Sequence, residues 1–201
     1  MTILGIDPGF GRTGWGIIQK QKNKLSLVDL GVIETFGKYK TPAVLQSNTN
    51  SSQAKNKMSL ESYLALNSSS KTKLKIGEFE IPYLLRLIEL DHQLSLILQK
   101  YNPDCIAIEQ LFFFKNQKTV IDVAQARGII LMCCLRNMDG LAHKIFEYTP
   151  LQVKQSVTGS GRADKKQVIY MVKQILNSEL VEKLDDASDA LAIAITHSMN
   201  I

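Results

Sequence analysis

Cysteine is scarce in this 201-residue chain, and Cys105, Cys133 and Cys134 include no C-x-x-C pair. An odd number of thiols in apolar surroundings excludes a disulfide framework. It points instead to buried thiols in a reducing compartment, the cytoplasm. Long apolar runs are also missing. The longest clean run, Gly128 to Leu135, is closed off by Arg127 and Arg136, far short of the roughly 18 residues a membrane span needs. The first residues, Met1 to Asp7, lack the basic start and apolar stretch of a signal peptide. No serine or cysteine has an evident catalytic partner. Of the three histidines, His92 and His143 read as solvated and His197 as a helix-end residue rather than a ligand.

The net charge is +5, but it is not spread over the chain. Residues 40–75 hold six lysines against one glutamate, so the whole excess lies there and the remainder is neutral. Global charge is therefore weak evidence for a nucleic-acid partner, and a basic surface has to be argued locally. The same segment carries eight serines and four asparagines. That composition reads as a disordered insertion within a single domain spanning 1–201.

Elsewhere the hydrophobic periods are clear. Residues 2–7, 14–20 and 25–36 read as three antiparallel strands at hairpin spacing. Leu84, Leu87, Ile88, Leu94, Ile97 and Leu98 share one face of a helix over 83–100, which Asn102-Pro103 stops. A buried strand at 104–109, a helix at 118–136 and a short strand at 144–149 follow. Helices at 151–157, 164–177 and 186–199 close the chain. This order implies an α/β fold, a mixed sheet with helices on both faces.

Gly9-Phe10-Gly11-Arg12-Thr13-Gly14 matches G-x-G-x-x-G, but a strand follows where a dinucleotide site needs a helix N-terminus. A glycine-rich hairpin is the better reading. Four carboxylates are more informative. Asp7 and Glu109 each end a buried apolar strand, where an ionised carboxylate is costly unless paired or bound to a cation. A turn at Asp7-Pro8-Gly9 and a glutamate emerging at a strand end are the plainer alternatives. Asp186 and Asp189 lie one turn apart at the start of an apolar helix, where capping accounts for one or two aspartates. If the four converge, an oxygen-only ligand set favours Mg²⁺ or Mn²⁺ over Zn²⁺. Two such ions can cleave a phosphodiester.

The stretch Thr158-Gly159-Ser160-Gly161-Arg162-Ala163-Asp164-Lys165-Lys166 lacks Walker spacing and reads as a flexible loop into a helix. Lys154, Arg162, Lys165 and Lys166 cluster in sequence and can hold phosphates, or form a solvated basic face. Phe112-Phe113-Phe114 can stack on unpaired bases, since three successive rings cannot all point inward from a strand.

Together these residues resemble the RuvC family, the bacterial Holliday-junction resolvases of the RNase H-like superfamily. The matching segments run in order: Ile3-Leu4-Gly5-Ile6-Asp7-Pro8-Gly9, Ala107-Ile108-Glu109-Gln110, Ala124-Gln125-Ala126-Arg127-Gly128, Tyr148-Thr149-Pro150, Val153-Lys154-Gln155, Ala163-Asp164-Lys165 and Asp186 through Ala194. The resemblance implies an RNase H-like five-stranded sheet, three antiparallel strands and then two parallel. It implies catalysis by Asp7, Glu109, Asp186 and Asp189 holding two Mg²⁺ ions, with Mn²⁺ able to substitute. It assigns DNA contacts to Phe112, Lys154 and Lys165. It also implies a homodimer that nicks two opposed strands of a four-way DNA junction, working with the RuvA and RuvB branch-migration proteins in recombination and repair, with no membrane partner. The segment 40–75 departs from the usual compact pattern of the family. Two other readings share the core fold: an RNase H-like nuclease acting on RNA, and a phosphate-loop ATPase relative, for which 201 residues leave no room for a second, closing domain.

Overall fold

The computed structural model describes residues 1–22, 24–35, 75–76, 79–110, 117–138, 144–179, 181 and 184–201. The segment expected to be an insertion, 40–75, lies outside the described residues except for its last one, and so do Phe112, Phe113 and Phe114. The strands are β1 (Thr2–Asp7), β2 (Arg12–Gln21), β3 (Lys24–Glu34), β4 (Lys75–Ile76), β5 (Phe79–Glu80), β6 (Cys105–Glu109) and β7 (Ile145–Tyr148). The helices are α1 (Ile81–Tyr101), α2 (Gln117–Asn137), α3 (Pro150–Thr158), α4 (Lys165–Leu176) and α5 (Asp185–Met199).

Five strands form one sheet in the order β3-β2-β1-β6-β7. The β1–β2 and β2–β3 pairs are antiparallel, and the β1–β6 and β6–β7 pairs are parallel. This is the mixed sheet, three antiparallel strands and then two parallel, that the family resemblance implies. The expected elements all occur, with ends displaced by a few residues. The two-residue strands of the β4–β5 hairpin are too short to show a hydrophobic period, so this hairpin was not expected.

The strand period of two divides the core between the two faces of the sheet. Leu4, Ile6, Ile17, Ile106 and Ile108 pack with Leu90, Leu94 and Leu98 of α1 and Ala126, Ile130, Cys133 and Cys134 of α2. Ile3, Ile18 and Ala107 pack with Val153 and Val157 of α3, Val168 and Val172 of α4, and Leu191 to Ile195 of α5. Helix α5 lies between the sheet and the outer helices, so it is buried on nearly all sides from Ala187 to Ser198. Its polar side chains bond inside the structure. Thr196 donates to the Ala192 carbonyl at 2.8 Å, Ser198 to the Ile195 carbonyl at 2.6 Å, and His197 Nδ1 meets the Tyr148 hydroxyl at 2.8 Å. His197 lies in the last turn of α5, as expected, and is buried there. The three cysteines are free and buried, as expected. Among the described residues no helix is long and apolar enough to cross a membrane.

Two glycines allow α5 to sit directly on the sheet. A Cβ on Gly5 of β1 would stand 1.9 Å from the Ala190 carbonyl oxygen. On Gly14 of β2 it would stand 1.9 Å from that of Asp186. The backbone of α5 therefore approaches closer than any other residue type would permit.

Candidate active site

Three of the expected carboxylates meet in one cleft. Asp7 ends β1 and Glu109 ends the adjacent parallel strand β6, so both leave the sheet at the same edge. Asp189 reaches the same cleft from the first turns of α5, which Gly14, the β-partner of Asp7, holds against the sheet. The cleft is about 240 Å³ and is also lined by Lys154 of α3, Lys165 of α4, and the apolar side chains of Pro150, Val153, Val168 and Ile193. Local sequence fixes the two helices that carry the lysines. Thr149 caps α3 in a capping box with Gln152, with Pro150 in its first turn. Asp164 caps α4 in the same way with Gln167.

The charges in the cleft are strongly coupled. Burial pushes the Asp7 carboxyl well above its usual range, and Glu109, Asp189 and Asp186 push it further, against the pull of Lys165. Glu109 is raised by burial and then by Asp189, with a hydrogen bond from Asp7 acting against the shift. Asp189 is raised by burial, and Lys165 opposes that. Lys165 Nζ lies 3.1 Å from Asp189 Oδ2 and 3.6 Å from Asp185 Oδ2. Burial pulls the Lys165 amine down, but the hydrogen bond and charge of Asp189 outweigh it and the net shift is upward. Burial and mutual repulsion thus disfavour the ionised carboxylates, and Lys165 opposes that at Asp7 and Asp189.

Asp186 stands apart. It is one turn from Asp189, as the spacing required, but it does not line the cleft. Its Oδ2 accepts a hydrogen bond from Arg12 Nε at 2.6 Å, and Arg12 Nη1 also lies 3.0 Å from Glu34 Oε1. The Asp186 contact raises the Arg12 guanidinium, first by its hydrogen bond and then by its charge. Arg12, the first residue of β2, was not singled out from the sequence, because nothing local ties it to a partner 174 residues away.

The basic cluster of the sequence also divides. Lys154 and Lys165 face the carboxylates, while Arg162 and Lys166 line a separate, larger cleft. The loop between α3 and α4, expected to be flexible, is pinned. Gln155 donates to the Gly159 carbonyl at 2.8 Å and accepts from Gly161 N at 3.0 Å, and Thr158 Oγ1 accepts from Ser160 N at 3.1 Å.

The donor set suits a hard divalent cation. It consists of carboxylate oxygens only, in a cleft where burial disfavours their ionised forms. Among the described residues no three such side chains stand close enough, as placed, to hold one ion between them. Lys165 holds Asp189 and Arg12 holds Asp186.

The chain matches the family model "Crossover junction endodeoxyribonuclease RuvC" over residues 3–79 and 75–197. It belongs to that family. The RuvC protein of Caldicellulosiruptor saccharolyticus is 39% identical over 201 residues, covering 100% of this chain and 93% of that protein. The RuvC protein of Fusobacterium nucleatum is 41% identical over 197 residues, 98% of this chain and 80% of that one. Among solved structures, T. thermophilus RuvC in complex with a Holliday-junction substrate superposes with a TM-score of 0.67. At 23% identity it covers 100% of this chain and 94% of that one, so the five-stranded RuvC fold is shared.

Proposed function

We propose that this chain is a structure-selective endonuclease that resolves four-way DNA junctions by Mg²⁺-dependent nicking of two opposed strands, in recombination and repair. The observation that carries this reading is the cleft where Asp7, Glu109 and Asp189 converge beside Lys154 and Lys165 in a chain of the RuvC family. Asp7, Glu109, Asp186 and Asp189 are the proposed catalytic residues and the ligands of two Mg²⁺ ions, with Mn²⁺ able to substitute. Divalent ions bound there supply activation of the attacking water and charge neutralisation at the departing 3′ oxygen. Lys165, paired with Asp189, and Lys154, which has no ion-pair partner among the described residues, line the same cleft and would face the DNA phosphate. Phe112 is the proposed aromatic contact near the crossover, and 40–75 a dispensable insertion in a single domain.

Two symmetric nicks need two copies, and we place the homodimer contact on α2. Ile121 and Met132 are 64% and 61% exposed there. Gly128 lies between them on the outer side of the helix, with nothing within 4 Å of a Cβ built on it. An apolar face with a small residue at its centre suits a two-fold pairing of identical helices. The enzyme works in the cytoplasm with the RuvA and RuvB branch-migration proteins.

The test is cleavage of a mobile four-way DNA junction with and without Mg²⁺, beside linear duplex and RNA–DNA hybrid controls. Paired symmetric nicks on the junction alone, dependent on Mg²⁺, are expected. Cutting of the hybrid but not the junction would move the chain to another substrate class.

A further inference from the structure

Beside the carboxylate cleft lies a second one of about 590 Å³, more than twice as large, open to solvent along the α3–α4 loop and the outer face of α4. Its cations are Arg162 and Lys166, both exposed and neither with an ion-pair partner among the described residues. The one carboxylate at its edge, Asp164, is engaged in capping α4, where it accepts from Gln167 N at 2.8 Å. Tyr170, one helical turn beyond Lys166 on the same face, is 58% exposed.

The loop that presents Arg162 is fixed by more than its own chain requires. Besides the Gln155 and Thr158 contacts, Arg162 N donates to Ser160 Oγ at 3.4 Å and Ala163 N to the Ser160 carbonyl at 3.1 Å. A Cβ on Gly161 would meet the Leu151 side chain at 2.6 Å. An exposed loop held this firmly, with two unpaired cations and a bare aromatic ring around it, is preorganised for an anionic, aromatic-bearing ligand. The cleft is too large for one phosphate and has the size and chemistry for a nucleotide within a strand, with phosphate contacts to Arg162 and Lys166 and base stacking on Tyr170. Consecutive residues connect it to the catalytic cleft, since Lys165 turns towards Asp189 while Lys166 turns the other way.

We infer that this second cleft grips the DNA strand beside the phosphate to be cut, an inference that rests on the proposed junction-nicking activity. It adds Arg162, Lys166 and Tyr170 to the strand-binding residues, outside the carboxylate site.

The experiment measures junction affinity against salt in an Asp7→Asn background, so that no strand is cut. Removing two phosphate contacts with Arg162→Gln and Lys166→Gln together should flatten the slope of log K against log salt by roughly 1.4–1.8. Tyr170→Ala should weaken binding by about tenfold and Tyr170→Phe should restore it, as a stacking role requires. An unchanged slope and affinity in the double variant, while Lys154→Gln weakens binding, overturns the inference and leaves the activity standing. A parent protein that binds no junction at all overturns both.

Discussion

Replacing Gly14 by alanine tests whether the sheet positions the acidic end of α5. The added Cβ would lie 1.9 Å from the Asp186 carbonyl oxygen and 2.4 Å from its carbon, both backbone atoms, where contacts under 3.0 Å are essentially never seen. No side chain can rotate away to relieve the overlap, so β2 and the first turn of α5 must separate by more than an ångström. Farther along, α5 is held at Gly5 against Ala190, so the helix should pivot at the end that carries Asp186 and Asp189. Overpacking of this kind costs about 3 kcal/mol, which lowers Tm by about 6–12 °C in a chain of this size. A shift of that size in two proposed metal ligands should also slow nicking by about 100-fold. Differential scanning calorimetry and junction cleavage measure both effects. A Gly14→Ala protein that melts with the wild type and cuts at its rate would refute the claim that this close approach sets the site.

Arg12→Ala frees Asp186 from its guanidinium partner. Because Arg12 is 45% exposed, solvent and salt limit the gain to no more than about fivefold tighter Mn²⁺ binding, largest at low ionic strength; unchanged or weaker binding in a Mn²⁺ titration would show that Arg12 does not compete for Asp186. Asp7→Asn probes the coupled carboxylates without metal. Burial and neighbouring charge raise Asp7 and Glu109, so the folded chain keeps protons that the unfolded chain has released, and stability falls as pH rises from about 4 through the raised values. The neutral carboxamide removes much of that loss. The Tm advantage of the variant over metal-free wild type should therefore grow with pH above 4, whereas an advantage that shrinks with pH would contradict the assignment. Saturating Mg²⁺ should reverse the order at pH 8, since binding to the folded state stabilises only the chain with an intact ligand set.

Local patterns carried the order of elements, the antiparallel run of the first three strands and the three carboxylates of the cleft, while the two parallel pairs came from the family resemblance. Strand and helix periods are local, so Ile3-Leu4-Gly5-Ile6 and the repeat of leucines from Leu84 to Leu98 could be read directly. A carboxylate at the end of an apolar strand is costly wherever the strand lies, and this marked Asp7 and Glu109 before any partner was known. Which charges meet depends on packing. Asp186 and Asp189 share a helix turn, yet one faces Arg12 and the other Lys165, because the neighbours that select between them come from distant segments. Four basic residues adjacent in sequence divide into two clefts because α3 and α4 present Lys154 and Lys165 inward and leave Arg162 and Lys166 outward. The need for glycine at positions 5 and 14 is equally nonlocal. It arises where α5, at the far end of the chain, comes to rest on the first hairpin, and a clearance between backbones is a property of the packed molecule rather than of any stretch of sequence.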